Sequence, residues 1–321
     1  MKFLKNFALT AAGLLIVATA AADTYPSKPI RIISPIPAGG SNDILARDVG
    51  AELQKRLGQS VVIENKPGAA GSIGTAEGAR AQPDGYTITL VYSSHSINPH
   101  LYKSLSYDAI KDFSPVVLMA SLPMGLFVHP SMPAKNVEEF IALAKEKPGS
   151  INYASSGNGS VSHMVGAMFA HTTNTELTHI PYRGSMPAKT DLLAGRVQAM
   201  FADVDLVQQH VKLGELRPLA IATQERLPRY EDVPTFVEAG LPDMVVSSQV
   251  GFLVPAGTPA AIIEKLNREI VEILHEPEMT KRINGRGMTV VASTPDEFSR
   301  IIKDDLERFG VVARSANMQI N

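Results

Sequence analysis

The feature that most constrains the fold of this chain is a repeated alternation of short apolar, β-branched runs with longer segments of helical periodicity. Residues 30–57 are typical: an extended run is followed by a Pro-Ala-Gly-Gly turn and then by an amphipathic stretch beginning near Asn42. Strands that alternate with helices favour parallel pairing, because the chain must cross back over the sheet through each helix. The pattern predicts an α/β fold with helices on both faces of its sheets.

The same alternation continues to about residue 254 and then gives way to a helical section. Predicted strands are residues 30–35, 61–64, 86–92, 113–122, 151–154, 177–180, 197–202, 216–223 and 245–254. Predicted helices are residues 42–57, 72–81, 136–145, 162–171, 186–194, 206–212, 259–275 and 296–316. The last two helices have no strands of their own and are expected to pack back on the first part of the chain.

The length of 321 residues suits two domains, each with its own core. A domain built from both ends of the chain is expected to comprise residues 23–124 and 247–321, and the second domain residues 125–246. Two extended crossings, near residues 118–122 and 247–252, are expected to join them.

The first 22 residues have the composition of an export signal. Lys2 and Lys5 precede an apolar run at residues 7–19, and alanines 20–22 supply a small-x-small cleavage pattern. A membrane anchor was the alternative, but the run is shorter than the ~20 apolar residues that a spanning helix needs. We expect cleavage after about Ala22 and export of the remaining chain.

Composition excludes several classes of function. The chain has no cysteine, which excludes disulfides, thiol catalysis, thiolate metal sites and a lipid-modified cysteine anchor. The net charge is −2, and loss of Lys2 and Lys5 makes it −4 without creating a basic run. Nucleic acid is therefore not an expected partner.

Four polar loops follow predicted strands, where open α/β sheets bind their ligands. Backbone N–H groups, hydroxyls and a guanidinium in such loops suit a carboxylate or phosphate, and an exposed helix N-terminus adds partial positive charge. The candidate ligand-binding residues of the four loops are Ala38, Gly39, Gly40, Ser41 and Asn42; Ser93, Ser94 and His95; Ser155, Ser156, Gly157, Gly159 and Ser160; and Tyr182, Arg183 and Gly184.

Each loop also has a structural interpretation. Gly39 and Gly40 could form only a tight turn, with Ser41 or Asn42 capping the helix, and the serines of residues 155–160 could be a capping cluster. Arg183 could be an ordinary surface residue. The position of Asp203 after a predicted strand favours a helix cap over a ligand contact. Asp43 is expected to turn back and accept N–H groups of the first helical turn. The functional interpretation depends on the convergence of all four loops.

Catalytic and metal-binding patterns are absent from the sequence. There is no Gly-x-Ser-x-Gly, Gly-Lys-Ser/Thr or His-Glu-x-x-His motif, and the eight histidines do not have metal-ligand spacing. The loop at residues 155–160 matches a dinucleotide fingerprint only in part, since Ser162 stands in place of its third glycine. The sequence thus predicts a binding protein without cofactor, metal or enzymatic activity.

Several stretches resemble a known family along essentially the whole exported chain. They are YPSKPI (residues 25–30), PAGG (37–40) with Asp43 and Ala46-Arg47, VIENKPGAAG (62–71), DGYT (84–87), YASSG (153–157), HIPYRG (179–184) and PAGTP (255–259). In this order they resemble the Bug-type periplasmic receptors of the tripartite tricarboxylate transporter family.

The resemblance implies an α/β, two-domain periplasmic binding protein of the Venus-flytrap type. Each domain would be a mixed, mainly parallel sheet flanked by helices, with two hinge crossings between the domains. Such a protein is a monomer that captures a small organic acid and delivers it to integral membrane permease subunits. By resemblance, the first loop holds one ligand carboxylate, the loops at residues 155–160 and 182–184 close over the rest, and Asp203 receives a polar group.

Two departures from the family pattern bear on ligand choice: Ser41-Asn42 in the opening loop, and Gln249-Val250 before Gly251. A dicarboxylate or aromatic carboxylate fits the two polar clusters best, and an amide or amino acid is an alternative. Two other functions stay open at this point: a periplasmic hydrolase, and a sensor subunit that presents its ligand to a membrane kinase.

Overall fold

A computed structural model describes residues 25–315 and Met318 of the chain, so the predicted export signal lies outside the described residues. The strands are β1 Ile30–Ser34, β2 Val61–Asn65, β3 Thr87–Tyr92, β4 Phe113–Val128, β5 Asn152–Ser155, β6 Thr178–Pro181, β7 Ala199–Asp203, β8 Arg217–Ile221, β9 Ser247–Pro255 and β10 Thr289–Val290. The helices are α1 Ser41–Leu57, α2 Ser72–Ala79, α3 Ser94–Leu101, α4 Val137–Glu146, α5 Val161–Thr173, α6 Ser185–Leu193, α7 Val204–Lys212, α8 Ala260–His275, α9 Pro277–Gly285 and α10 Pro295–Ser315.

The strands form one continuous sheet in the order β2-β1-β3-β9-β4-β7-β5-β6, with β8 and β10 also paired to β4. Two sets, β2-β1-β3 and β7-β5-β6, are parallel throughout, as the strand–helix alternation predicts. The pairings that involve β4 or β9 are antiparallel. The sheet is therefore mixed, with each parallel set at one end and the two long strands between them.

Strand β4 connects the two parallel sets because its 16 residues pair first with β9 and then with β7 and β8. The change of partner falls where Pro123 lies opposite Ser247 and Met124 lies opposite Asp203. Proline has no N–H to give to a ladder, so it fits the point at which a strand leaves one neighbour for another. The predicted crossing in β4 is confirmed as a strand and extends six residues beyond the predicted end at Leu122.

Separate apolar clusters support the two parallel sets. In the first set, Ile262, Leu266 and Ile270 form one stripe of α8 and pack in the same cluster as Ile30 and Ile32 of β1. The cluster at the second set contains aromatic contacts, among them Phe140 with Phe169 and Phe169 with Phe201. The periodic apolar residues of the sequence thus account for the core at each end of the sheet.

Helix α10 packs back on the first part of the chain, as expected, and also reaches the second parallel set. Phe298 and Ile302, near its beginning, belong to a cluster of the first set, whereas Phe309 and Val312, near its end, belong to the second set's cluster. A helix of 21 residues is about 32 Å long at 1.5 Å per residue, which is enough to reach both clusters. The C-terminal helix therefore supports both ends of the sheet.

Two helices were missed from the sequence. Helix α3 contains Pro99 and a serine-rich first turn, both poor helix signals, but Ile97 and Leu101 are buried in the second set's cluster. Helix α9 follows α8 directly and begins with Pro277. None of the helices in residues 25–315 combines the length and the apolar character that a membrane crossing requires.

Candidate functional site

Three helix N-termini at the carboxyl ends of parallel strands have no side-chain cap and are at least partly exposed, whereas a fourth, at the start of α3 after β3, is uncapped but buried. The three are the starts of α1 at Gly40, α6 at Gly184 and α7 at Asp203. The first follows β1, and the other two follow β6 and β7, so both parallel sets contribute. The first N–H groups of an uncapped helix need an external acceptor, and the helix dipole adds partial positive charge there.

The opening loop is held by Asp43, whose fully buried carboxylate accepts hydrogen bonds from four groups. Gly39 N–H donates to Oδ2 at 3.0 Å, Arg47 Nε to Oδ2 at 2.8 Å, Asn65 Nδ2 to Oδ1 at 2.6 Å and Ser34 Oγ to Oδ1 at 3.3 Å. Burial alone would raise the pKa of Asp43, but the bonds from Arg47, Gly39 and Asn65 more than offset it and keep the pKa below its usual value.

This arrangement corrects the expectation that Asp43 caps the first turn of α1. The carboxylate instead fixes the preceding loop through Gly39, whose φ of 89° favours glycine. Because Asp43 points inward and is neutralised by Arg47, it does not repel an anion at the helix N-terminus. Ala38, Gly39 and Gly40 are exposed, and Ser41 and Asn42 are partly exposed.

Ser41 does not cap α1 either, because Gly40 occupies the N-cap position. The Ser41 hydroxyl instead donates to Asp205 Oδ2 at 3.3 Å, a contact between residues 164 positions apart. The opening loop after β1 therefore lies against the N-terminus of α7, which follows β7. This contact brings the carboxyl ends of the first and second parallel sets together.

Ser93, Ser94 and His95 do not form the loop predicted from the sequence, since Ser94 begins α3 and all three residues are only 3–4 % exposed. The His95 ring lies between Tyr107 and Phe113, and its Nε2 is 2.8 Å from the Ala109 carbonyl oxygen. Burial lowers the pKa of His95 to about 4. The structure places these residues in the interior of the first set, away from the exposed loops.

Ser93 nevertheless contacts a crossing strand, because its hydroxyl accepts the N–H of Gln249 in β9 at 2.9 Å. It thus links the end of β3 to the residue at which the sequence departs from the family pattern.

The loop at residues 155–160 is held by its own side chains. Ser160 accepts the N–H of His163 at 3.2 Å, which confirms a capping role, and Ser162 Oγ accepts the N–H of Ser156 at 3.0 Å. The Gly157 N–H donates to Ser155 Oγ at 3.1 Å. These donors are therefore engaged within the loop and are not free for a ligand.

Asn158, which sequence reasoning left out, is the exposed residue of this loop. Its side chain forms no hydrogen bond with other residues of the described chain. The Gly-Asn-Gly pattern in the sequence indicates an exposed turn residue at this position, and both Gly157 and Gly159 have positive φ values.

The loop at residues 182–184 lies directly beside the loop at 155–160. The Tyr182 N–H donates to the Ser155 carbonyl and the Gly184 N–H to the Ser156 carbonyl, both at 3.1 Å. The Tyr182 hydroxyl donates to Asp191 at 2.8 Å, whereas Arg183 is exposed and has no charged partner within residues 25–315. The two loops thus form one surface, on which Asn158 and Arg183 are the available polar side chains.

Asp203 lies at the N-cap position of α7 without capping it, contrary to the expected role. Its Oδ1 accepts a hydrogen bond from Ser248 Oγ of β9 at 2.7 Å, at the crossing between the two sets. Burial and the neighbouring Asp205 raise the pKa of Asp203 to about 7. Asp205 and Ser248 were missed because their partners are distant in sequence.

One pair of side chains in the site resembles a catalytic arrangement. Ser155 Oγ is 2.6 Å from His179 Nε2, a pairing that a hydrolase could use, but Ser155 is fully buried and its hydroxyl also accepts the Gly157 N–H. In the described part of the chain, no three His, Cys, Asp or Glu side chains lie where they could share one metal ion.

Comparison with known proteins gives concordant matches over nearly the whole chain. Residues 45–318 match the model of a family described as the tripartite tricarboxylate transporter family receptor. The chain is 36 % identical to protein BugT of Bordetella pertussis over 307 residues, which cover 95 % of this chain and 94 % of BugT.

Two solved structures are similar to it. Rpa4515 of R. palustris with adipate superposes with a TM-score of 0.83 at 32 % identity, covering 92 % of this chain and 100 % of that one. MatC of Rhodopseudomonas palustris with bound malate gives a TM-score of 0.80 at 30 % identity, covering 90 % of this chain and 99 % of that one.

Proposed function

Because the chain belongs to the family of tripartite tricarboxylate transporter receptors, we propose that it captures a small organic carboxylate in the periplasm and delivers it to a membrane permease. The predicted fold class, that of the family's two-domain periplasmic receptors, is confirmed by the solved structures that match over 90 % or more of the chain. Similar proteins that hold adipate and malate support a carboxylate ligand.

The observation that carries the proposal is the uncapped, partly exposed N-terminus of α1 at Ser41 and Asn42. Its own acidic residue, Asp43, is turned inward and paired with Arg47, and Asp205 of α7 contacts the Ser41 hydroxyl of this turn, not its backbone N–H groups. One carboxylate of the solute binds to these N–H groups. The missing lysine of a phosphate loop and the small size of the turn favour a carboxylate over a nucleotide.

The other end of the solute binds to the second parallel set. In this proposal the exposed Arg183 binds a second carboxylate beside the uncapped start of α6, and Asn158 offers both a donor and an acceptor. Asp203 suits a hydroxyl or another donor. In this proposal the ligand lies between a domain of residues 23–124 with 247–321 and a domain of residues 125–246.

The direct test is calorimetry of the purified protein with malate and adipate, together with mass spectrometry of small molecules that co-purify. We expect at least one carboxylate to bind with a 1:1 stoichiometry and to be recovered unchanged. Binding only of uncharged compounds would contradict the carboxylate site, and chemical conversion of the ligand would favour the hydrolase alternative.

A matched pair of glycine variants tests the opening loop. Gly39 and Gly240 have φ values of 89° and 80°, and no atom lies within 4 Å of a Cβ added at either position. Alanine is therefore strained to a similar degree at both sites. We expect Gly39→Ala to weaken carboxylate binding at least tenfold and Gly240→Ala to leave it unchanged; equal effects would argue against the opening loop.

A further inference from the structure

We propose that His163 and His179 are positioning residues that hold the loop at residues 155–160 and present Asn158 to the solute. This inference rests on the proposed function for its ligand, but its structural part can be measured without one. Neither histidine is among the residues that sequence reasoning assigned to the site.

The two imidazole rings lie face to face beneath the loop. Their centroids are 3.8 Å apart and their planes differ by 6°, and Tyr153 packs against His179 with a centroid distance of 5.0 Å. His163 belongs to the first turn of α5 and His179 to β6. The stacked pair therefore joins the helix that follows the loop to the strand that neighbours β5.

Each histidine holds one end of the loop. His179 Nε2 is 2.6 Å from Ser155 Oγ, the hydroxyl that also accepts the Gly157 N–H. His163 Nδ1 accepts the N–H of Gly159 at 3.3 Å. Asn158 lies between these two anchored glycines, so the histidines fix the backbone on both sides of it.

The geometry of the pair fits two uncharged rings. Burial lowers the pKa of His163 to about 4, and burial together with the adjacent His163 lowers the pKa of His179 to about 3. The Nδ1 atom of His163 must be unprotonated to accept a hydrogen bond. Two imidazolium rings stacked at 3.8 Å would also repel each other.

The consequence for binding is a rigid loop with a single polar side chain directed outward. The N–H groups of Ser156, Gly157 and Gly159 are used inside the loop or by His163. These N–H groups therefore cannot donate to a carboxylate. The loop binds the solute through the side-chain amide of Asn158 instead. An amide donates and accepts, which suits a hydroxyl as well as a carboxylate.

The experiment compares His179→Ala, His179→Gln and His163→Ala with the control His171→Ala, an exposed histidine of the same helix. Glutamine can place an amide nitrogen near the position of His179 Nε2 and so retain the bond to Ser155. The first readout is amide hydrogen exchange at Gly157 and Gly159 in the ligand-free protein. The second is calorimetry with malate and adipate.

We expect exchange at Gly159 to rise about tenfold in His163→Ala, and exchange at Gly157 to rise similarly in His179→Ala. Affinity for whichever acid binds the wild type should fall about tenfold in both variants. His179→Gln should recover most of the protection and affinity, and His171→Ala should match the wild type. Asn158→Ala should weaken binding while leaving exchange at both glycines unchanged.

The outcomes separate this inference from the proposed function. Wild-type protein that binds no carboxylate contradicts the proposed function, while the exchange data still test the anchoring of the loop. Unchanged exchange in both alanine variants overturns the inference. It is also overturned if His179→Gln is as impaired as His179→Ala, since packing alone would then explain the role of the ring.

Discussion

Arg183 differs from most other polar residues of the candidate site because it is exposed and has no charged partner in the described part of the chain. We expect Arg183→Ala to weaken carboxylate binding by ~1.5–3 kcal/mol, the usual range for a hydrogen bond to a charged group. Lys212→Ala is the control, since it removes the same charge at the exposed end of α7. Calorimetry that finds the two variants equal would make Arg183 an ordinary surface residue.

Because His163 and His179 are stacked and neutral, we expect the stability of the folded protein to depend on pH in the acid range. In the folded protein their pKa values are about 4 and 3, whereas an unfolded histidine titrates near 6.5, so the unfolded state takes up protons first as the pH falls. Their contribution to stability is full above pH 6.5 and is lost progressively as the pH falls through about 4 for His163 and about 3 for His179. The carboxyl of Asp203 acts in the opposite direction, because its pKa is raised to about 7.

The measurable quantity is therefore the difference between the wild type and His179→Gln. We expect the unfolding free energy of the wild type relative to this variant to fall as the pH drops from 6.5 towards about 3, because the unfolded chain binds a proton at this residue before the folded protein does. Urea unfolding at several pH values would measure it. A difference that does not vary with pH would mean that His179 is protonated equally in both states.

At the scale of the elements, helices α4 and α5 begin with comparable caps but have different neighbours. Asn136 accepts the N–H of Glu139 at 2.8 Å, and Ser160 accepts the N–H of His163 at 3.2 Å. Ser160 in addition donates to the Gly157 carbonyl at 2.7 Å, within the candidate site. Alanine at either position should cost ~1 kcal/mol of stability.

Only Ser160→Ala should also weaken carboxylate binding, because it releases the loop that presents Asn158. Thermal unfolding and calorimetry on both variants would separate the two effects. Loss of affinity in Asn136→Ala would show that general destabilisation, and not the loop, controls binding.

At the scale of the whole molecule, Arg229 joins two halves, which are the domains proposed above at residues 125–246 and at residues 23–124 with 247–321, without lying in the candidate site. It donates to the carbonyls of Asn284 at 3.1 Å and Gly287 at 2.8 Å; Asn284 lies in the last turn of α9, and Gly287 lies two residues beyond its end. A guanidinium suits these carbonyls because the helix C-terminus carries partial negative charge. Nearby, Ser41 and Asp205 form another contact between the halves.

We expect Arg229→Ala to weaken ligand binding about three- to tenfold. The variant loses the hydrogen bonds that hold the two halves together, so a ligand that bridges both halves must supply more of the free energy of bringing them together. Small-angle scattering should give a larger radius of gyration at equal ligand saturation. Arg226→Ala is the control, because Arg226 pairs with Glu238 inside the second half. Equal effects of the two variants would rule out a role in closure.

Much of the molecule follows from local sequence. The strand–turn–helix at residues 30–57, the alternation up to β9 and the apolar stripe of α8 are encoded by residues close together in the chain, and the structure confirms them. Periodicity of 2 or 3.6 residues determines which side chains share a face, so neighbours suffice for these predictions. The sequence also placed polar loops after the parallel strands.

The tertiary structure decided which of those polar groups are available. The predicted loop at Ser93, Ser94 and His95 is buried instead. It forms the start of α3, and Ile97 and Leu101 of that helix pack in the core. The Ser41–Asp205 contact, the Asp203–Ser248 contact and the His163–His179 stack join residues 164, 45 and 16 positions apart, a separation for which local patterns carry no signal. Whether a donor is free, or an acid keeps its charge, depends on partners that only the folded chain brings within 4 Å.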